Sequence, residues 1–257
     1  MDKTLEEIKT NEAFMIWLIN KFSEKCAKNL ILKGGMVLRL LECPRYTNDL
    51  DYVAIPFSSK KEVVSLIDKA LSGFEKITYT YQLSSKAARF FVNLTNHHGK
   101  LSTQIELNVA DSCETNVIST GEIAITHHLQ PHLVSVMKYE IALAHKLGAW
   151  NERGLIRDLY DIYFITKNLE IQPDINVLRE RLQKTKYAKS VQNGQKKPSN
   201  MTITQFVEKF KRALIELYEE KITVELRDYL PVDHNAGLDK KMKVVLTRML
   251  ENLVQWA

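Results

Sequence analysis

The fold of this chain is decided by two neighbouring stretches, Leu32-Lys33-Gly34-Gly35-Met36-Val37-Leu38-Arg39-Leu40 and Asn48-Asp49-Leu50-Asp51-Tyr52-Val53. The first predicts a tight glycine turn that leads into a short helix, and the second predicts a strand. Side chains alternate along a strand with a period of two, so Asp49 and Asp51 point to the same face. Two adjacent carboxylates repel each other unless a cation or a shared proton lies between them.

Each half of this arrangement has a known use in phosphate chemistry. Hard divalent ions are held by one or two carboxylates together with substrate phosphates. A helix that begins in a glycine turn offers its backbone N–H groups to a phosphate. Together the turn and the acidic strand predict a site for a metal-bound nucleoside triphosphate. The alternative for Asp49 and Asp51 taken alone is a solvated strand end.

The composition is that of an ordinary globular protein. The 257 residues are 45% hydrophobic and 26% charged, which is typical of a folded chain with a sizeable core. The three cysteines form no CxxC pair, which argues against a disulfide framework and a structural zinc site. No apolar run is long enough to span a membrane. We therefore expect a soluble, cytoplasmic protein, whose net charge of +5 permits a polyanionic partner.

Hydrophobic periodicity predicts the coarse architecture. Helical spacing indicates one or two helices over residues 4–28, a short helix over 36–42 and a helix that begins after Ser59. Alternating patterns predict strands over 76–83, 89–95 and 102–109. From about residue 132 the pattern predicts helices to the end of the chain. The fold class is thus α+β or mixed α/β, with a twisted mixed sheet flanked by helices over residues 1–120 and a helical domain over 121–257.

The strand over 102–109 carries a candidate third acid. Its apolar residues share one face, and Gln104, Glu106 and Asn108 share the other. A neighbouring antiparallel strand could bring Glu106 beside Asp49 and Asp51. The alternative, a plain polar-face residue, is equally open because any half-buried strand alternates in this way.

A basic segment lies in the C-terminal half. Residues 181–200 contain no acid and six cations, namely Arg181, Lys184, Lys186, Lys189, Lys196 and Lys197. The ordinary interpretation is a solvated loop. The functional one is contact with an RNA phosphate backbone, which would weaken steeply with added salt.

The opening run and the segment Pro44-Arg45-Tyr46-Thr47-Asn48-Asp49-Leu50-Asp51 together resemble the AbiEii-type nucleotidyltransferases. These are toxins of type IV toxin–antitoxin and abortive-infection systems, within the DNA polymerase β-like nucleotidyltransferase superfamily. A second block is similar to the lysine-containing helix and the Arg-Asp-x-x-Asp signature of that family. It comprises Lys146-Leu147-Gly148-Ala149-Trp150-Asn151-Glu152-Arg153 and Arg157-Asp158-Leu159-Tyr160-Asp161. The resemblance covers roughly residues 10 to 170.

The resemblance implies a nucleotidyltransferase core whose active site is completed by the helical domain. It implies catalytic roles for Asp49, Asp51, Lys146 and Asp158. It implies metal binding by Asp49, Asp51 and Glu106, and nucleotide binding by Lys33, Gly34, Gly35, Lys146 and Arg157. Many members of the superfamily have serine at the position of Gly35, so here the backbone donor is kept and a hydroxyl contact is lost.

The activity implied by the resemblance is transfer of a nucleoside monophosphate from a nucleoside triphosphate to an acceptor, with Mg²⁺ or Mn²⁺ as cofactor. The implied acceptor is the 3′ end of a tRNA, and the implied partner is a protein antitoxin. Two alternatives stay open. One is a catalytically silent nucleotide-binding interaction module, and the other is an enzyme that transfers the nucleotide to a protein hydroxyl.

Overall fold

The computed structural model of the chain describes residues 3–85, 87–183 and 201–256. The chain divides into two compact units, Met1–Lys138 and Tyr139–Ala257. The sequence predicted units over 1–120 and 121–257, with the boundary 18 residues closer to the N-terminus than the one in the structure. The two differ because the strand over Leu133–Met137 pairs with strands of the first unit. The predicted basic segment lies outside the described residues, except for residues 181–183.

The first unit is built around a seven-stranded sheet. Its strands are β1 (Leu30–Lys33), β2 (Asp49–Ala54), β3 (Ile77–Leu83), β4 (Ala88–Asn96), β5 (Gly99–Val109), β6 (Thr115–Ser119) and β7 (Leu133–Met137). Their order across the sheet is β3-β4-β5-β2-β1-β7-β6. The β1–β7 and β2–β5 pairs are parallel, and the other neighbours are antiparallel. The predicted mixed sheet is confirmed.

Among the described residues of this unit, five helices accompany the sheet, α1 (Lys3–Glu7), α2 (Asn11–Cys26), α3 (Gly35–Leu40), α4 (Lys60–Leu71) and α5 (Gly121–Thr126). The Thr10 side chain caps α2 by accepting a hydrogen bond from the Ala13 N–H. Every residue of α2 from Ala13 to Asn20 is buried, as expected of a helix enclosed on all sides. On the sheet, Tyr52 meets Phe22 of α2 edge to face, with ring centroids 5.7 Å apart. Because side chains alternate along β2, Asp51 points away from α2.

The prediction of helices from about residue 132 onwards was wrong at its start. Residues Leu133–Met137 form β7, in which Val134 and Val136 are buried. This strand lies between β1 and β6 and exchanges backbone hydrogen bonds with both. A five-residue apolar run is too short to distinguish a strand from a helix by periodicity, so only the tertiary pairing determines it.

The described part of the second unit is helical, which confirms the predicted C-terminal bundle. Its helices are α6 (Tyr139–Arg153), α7 (Ile156–Leu169), α8 (Ile175–Gln183), α9 (Ile203–Ile215), α10 (Glu219–Leu226) and α11 (Leu238–Val254). Trp150 anchors the core, with its ring 4.3 Å from that of Phe210 and 5.9 Å from that of Phe206. Within the described ranges no helix combines the length and the apolar character needed to cross a membrane.

Candidate active site

The glycine turn between β1 and α3 is shaped by the approach of Asp51. Gly34 has a φ of +79° and a ψ of −152°, a conformation that favours glycine. A Cβ added at Gly34 would overlap the Oδ2 atom of Asp51. The turn therefore needs glycine at Gly34 for two reasons, the backbone conformation and the closeness of the Asp51 carboxylate.

The second glycine of the turn is enclosed from the other side. A Cβ on Gly35 would lie 2.8 Å from Thr47 Oγ1 and 2.9 Å from Arg45 Nη2. Arg45 is only 8% exposed, and it donates to the carbonyl of Tyr46 at 3.1 Å. Thr47 also donates to Asp49 Oδ1 at 2.9 Å. Arg45 and Thr47, which the sequence offered only as part of a motif, thus support the turn and the first acid.

A row of four charged residues crosses the sheet beside this turn. Lys33 on β1 lies directly opposite Asp51 on β2. Asp51 is in register with Glu106 on β5, and Glu106 is in register with Arg89 on β4. Residues directly opposite each other on neighbouring strands share a face of the sheet. Two acids therefore lie side by side between two cations, and Asp49 lies on the same face along β2.

The structure brings Glu106 beside Asp51, but not by the predicted strand direction. The expectation that an antiparallel neighbour would do this was wrong, because β5 runs parallel to β2. Neighbouring strands are about 4.8 Å apart, so the two carboxylates are within reach of each other. The Glu106 carboxylate accepts a hydrogen bond from Arg89 Nε at 2.8 Å. Glu106 is thus paired with a cation of β4, which lies on the opposite side of β5 from β2.

The donor set of Asp49 and Asp51 suits a hard divalent cation, since oxygen ligands from one or two carboxylates are what Mg²⁺ takes from a protein. The Asp51 carboxylate lies directly against the backbone at Gly34, which is consistent with such a site beside the glycine turn. In residues 3–85, 87–183 and 201–256, no three acidic, histidine or cysteine side chains lie close enough together to hold a metal ion. The predicted third ligand, Glu106, is paired with Arg89 through its Oε2 atom.

In the second unit, Lys146 and Asp158 each belong to an ion pair between α6 and α7. Lys146 Nζ lies 2.5 Å from Asp161 Oδ2. Arg153 donates two hydrogen bonds to the Asp158 carboxylate, from Nε at 3.0 Å and from Nη2 at 2.5 Å. Both aspartates have side chains only 2% exposed. Because a buried carboxylate without a partner is costly, each pair supplies the partner that its buried aspartate needs.

Arg157 is held on a different side of α7. Its Nη1 donates to the hydroxyl of Tyr229 at 3.2 Å, and its backbone N–H donates to Glu225 Oε1 at 3.2 Å. A groove of about 710 Å³ lies nearby, lined by residues that include Trp150, Lys209 and Glu225. The described lining of this groove does not include Lys146, Arg157 or Asp158. These contacts of Arg157 do not test its predicted role in nucleotide binding, which stays a prediction.

Comparison with known proteins identifies the family of this chain. The model of the family described as nucleotidyl transferase AbiEii toxin, type IV TA system, matches residues 22–244. This chain belongs to the AbiEii family. It is therefore a nucleotidyltransferase, and its type IV toxin–antitoxin family implies a nucleotide substrate and an antitoxin partner.

Solved structures show the same fold as this AbiEii-family chain. JHP933 from Helicobacter pylori matches with a TM-score of 0.55 at 15% identity, over 100% of this chain and 95% of the other. A candidate nucleotidyltransferase from H. pylori matches with a TM-score of 0.53 at 16% identity, over 100% of this chain and 99% of the other. No curated protein matches the chain significantly.

The crowding at Gly34 gives a test of the turn in this AbiEii-family enzyme. Gly34→Ala is expected to lower nucleotidyl transfer roughly 100-fold, since displacing a catalytic group by about 1 Å has that effect. It should also lower the free energy of unfolding by more than about 1 kcal/mol, because the added methyl group meets Asp51 and the φ is positive.

Gly73→Ala is the matched control for this substitution. Gly73 has a φ of +87°, and a Cβ there would meet no atom within 4 Å. This variant carries the backbone strain without the collision, and it should keep its activity. Urea unfolding and a transfer assay measure both effects. Equal losses of activity in the two variants would contradict the account of Gly34.

Proposed function

We propose that this chain transfers a nucleoside monophosphate from a nucleoside triphosphate to the 3′ end of a tRNA, with Mg²⁺ or Mn²⁺ as cofactor. The observation that carries the proposal is the approach of Asp51 to the glycine turn. Gly34 leaves no side chain between the Asp51 carboxylate and the backbone that would receive the triphosphate. Metal ligand and phosphate site are then neighbours, as a metal–nucleotide complex requires.

Asp49 and Asp51 would hold the divalent cation, with the substrate phosphates as further ligands. When bound, the cation would stabilise the charge that develops on the α-phosphate and on the departing pyrophosphate. Lys33 lies directly opposite Asp51, where its ammonium would offset negative charge at the same place. The backbone N–H groups at Gly34 and Gly35 would orient the triphosphate.

In the proposed reaction an acceptor hydroxyl oxygen forms a bond to the α-phosphorus. The bond from that phosphorus to the bridging oxygen breaks, pyrophosphate leaves, and the hydroxyl proton passes to solvent. The protein contributes position and charge, which are the main sources of catalysis in phosphoryl transfer.

We propose that Lys146 and Arg157 contact the nucleotide, as the family resemblance implies. An ammonium has three N–H donors, so pairing with Asp161 is compatible with a phosphate contact. Asp158 is buried against Arg153, and we propose that it acts by positioning that guanidinium.

The acceptor can be identified by labelling. The purified chain is incubated with Mg²⁺, total tRNA and each of the four α-labelled nucleoside triphosphates in turn. We expect label at the 3′ end of tRNA, and a yield that falls steeply with salt if the RNA backbone is contacted. Label in protein would instead indicate transfer to a protein hydroxyl. Metal-dependent nucleotide binding without any label, or equal labelling by Asp51→Ala, would contradict the proposal.

A further inference from the structure

The charged row across β1, β2, β5 and β4 has a symmetry that the proposed metal site does not explain. Its order is Lys33, Asp51, Glu106 and Arg89, so each acid has a cation on its outer side. The charges sum to zero before any metal is present. Adjacent carboxylates normally need a cation between them, but here the cations flank the pair.

The outer cation on β4 acts directly on the third acid. Arg89 Nε lies 2.8 Å from Glu106 Oε2, and the two side chains are 45% and 27% exposed. The guanidinium draws the Glu106 carboxylate towards β4 and so reduces its repulsion of Asp51. An ion pair this exposed to solvent is weak, and its loss changes an equilibrium constant by roughly fivefold or less. It is therefore an interaction that a bound divalent cation could displace.

We propose that Arg89 is a positioning residue that competes with the divalent cation for Glu106. Without metal, Arg89 holds Glu106 on the side away from Asp51, which is why no three-acid cluster is assembled among the described residues. With metal, Glu106 turns from Arg89 towards Asp51. Arg89 thereby sets how readily the site takes up its cation. The inference rests on the proposed function, since it requires a metal at Asp49 and Asp51.

The test is a titration of the full chain with Mn²⁺, with and without a non-hydrolysable ATP analogue, in which electron paramagnetic resonance measures free Mn²⁺. We expect Arg89→Gln to bind Mn²⁺ roughly two- to fivefold more tightly than the wild type, because the competitor is gone. Arg89→Lys keeps the charge and should stay close to the wild type. Glu106→Gln should bind Mn²⁺ more weakly.

A double-mutant cycle separates competition from the general field of a positive charge. In a Glu106→Gln background, Arg89→Gln should not change Mn²⁺ affinity further, because the carboxylate for which Arg89 competes is absent. Unchanged Mn²⁺ affinity in Arg89→Gln, or equal tightening in both backgrounds, would overturn the inference.

The proposed function fails by a different result, namely a wild type and an Asp51→Asn variant that bind Mn²⁺ equally. If Arg89→Gln did not fold, a wild-type Mn²⁺ affinity in Glu106→Gln would overturn the inference by itself.

Discussion

Replacement of Asp51 by asparagine is expected to lower the rate of nucleotidyl transfer by roughly a thousandfold while the protein stays folded. A metal ion contributes several kcal/mol of charge stabilisation in a transition state, and each 1.36 kcal/mol or so corresponds to about a tenfold change in rate. Asparagine has the shape of aspartate but lacks its charge, so the crowded contact with Gly34 is preserved. The substitution also removes one of two neighbouring negative charges. We therefore expect the free energy of unfolding to change by less than about 1 kcal/mol.

The rate is measured with saturating nucleotide and Mg²⁺, and the stability by urea unfolding of the same preparation. Asp111→Asn is the matched control, because Asp111 is an exposed residue in the bend after β5 and has no predicted role. It should retain wild-type activity. An Asp51→Asn enzyme that keeps a tenth or more of the wild-type rate would contradict the assignment of Asp51 as a metal ligand.

Removal of the Arg153 guanidinium is expected to cause the largest loss of stability, a decrease of about 2–3 kcal/mol in the free energy of unfolding. Arg153→Ala leaves the Asp158 carboxylate buried without its partner, which in a fully buried pair costs about 3–5 kcal/mol. We expect less because the Arg153 side chain is 46% exposed. Asp158 also lies in the first turn of α7, where the helix dipole favours a negative charge.

Two comparisons identify the cause of this loss. The double substitution of Arg153 and Asp158 by leucine should be more stable than Arg153→Ala, because no buried charge is left without a partner. The exposed pair of Lys211 and Glu208, with side chains 46% and 60% exposed, is the control. Lys211→Ala should change the free energy of unfolding by less than about 0.5 kcal/mol. Equal effects of Arg153→Ala and Lys211→Ala in urea unfolding would contradict the role of burial.

The local part of the candidate site could be predicted from the sequence because its signals are local. A glycine pair before a short apolar run predicts a turn and a helix, and the period of two places Asp49 and Asp51 on one face. Glycine is also required at Gly34 because the Asp51 carboxylate lies so close to it. No local sequence pattern indicates this contact, since it depends on the pairing of β1 with β2.

The rest of the site depends on tertiary pairing, and the sequence could not predict it. The alternation in β5 placed Glu106 on a polar face, but its alignment with Asp51 results from a parallel register. Arg89 gave no signal at all, because its importance lies in its register with Glu106. The burial of Asp158 and Asp161 was equally hidden, since Arg157, Asp158 and Asp161 also fit the pattern of a solvated helix surface. The structure instead buries both aspartates in pairs with Arg153 and Lys146.

The most direct test of the central claim is to follow both ends of the triphosphate in one reaction. The wild-type chain is supplied with Mg²⁺, total tRNA and one nucleoside triphosphate, labelled either at the α- or at the γ-phosphate. Nucleotidyl transfer predicts that the α-label enters the acceptor and the γ-label is released in pyrophosphate. Both signals should disappear with a chelator and in Asp51→Asn. Transfer of the γ-label to the acceptor, or α-labelling that survives the Asp51→Asn substitution, would contradict the claim that this site transfers nucleotides.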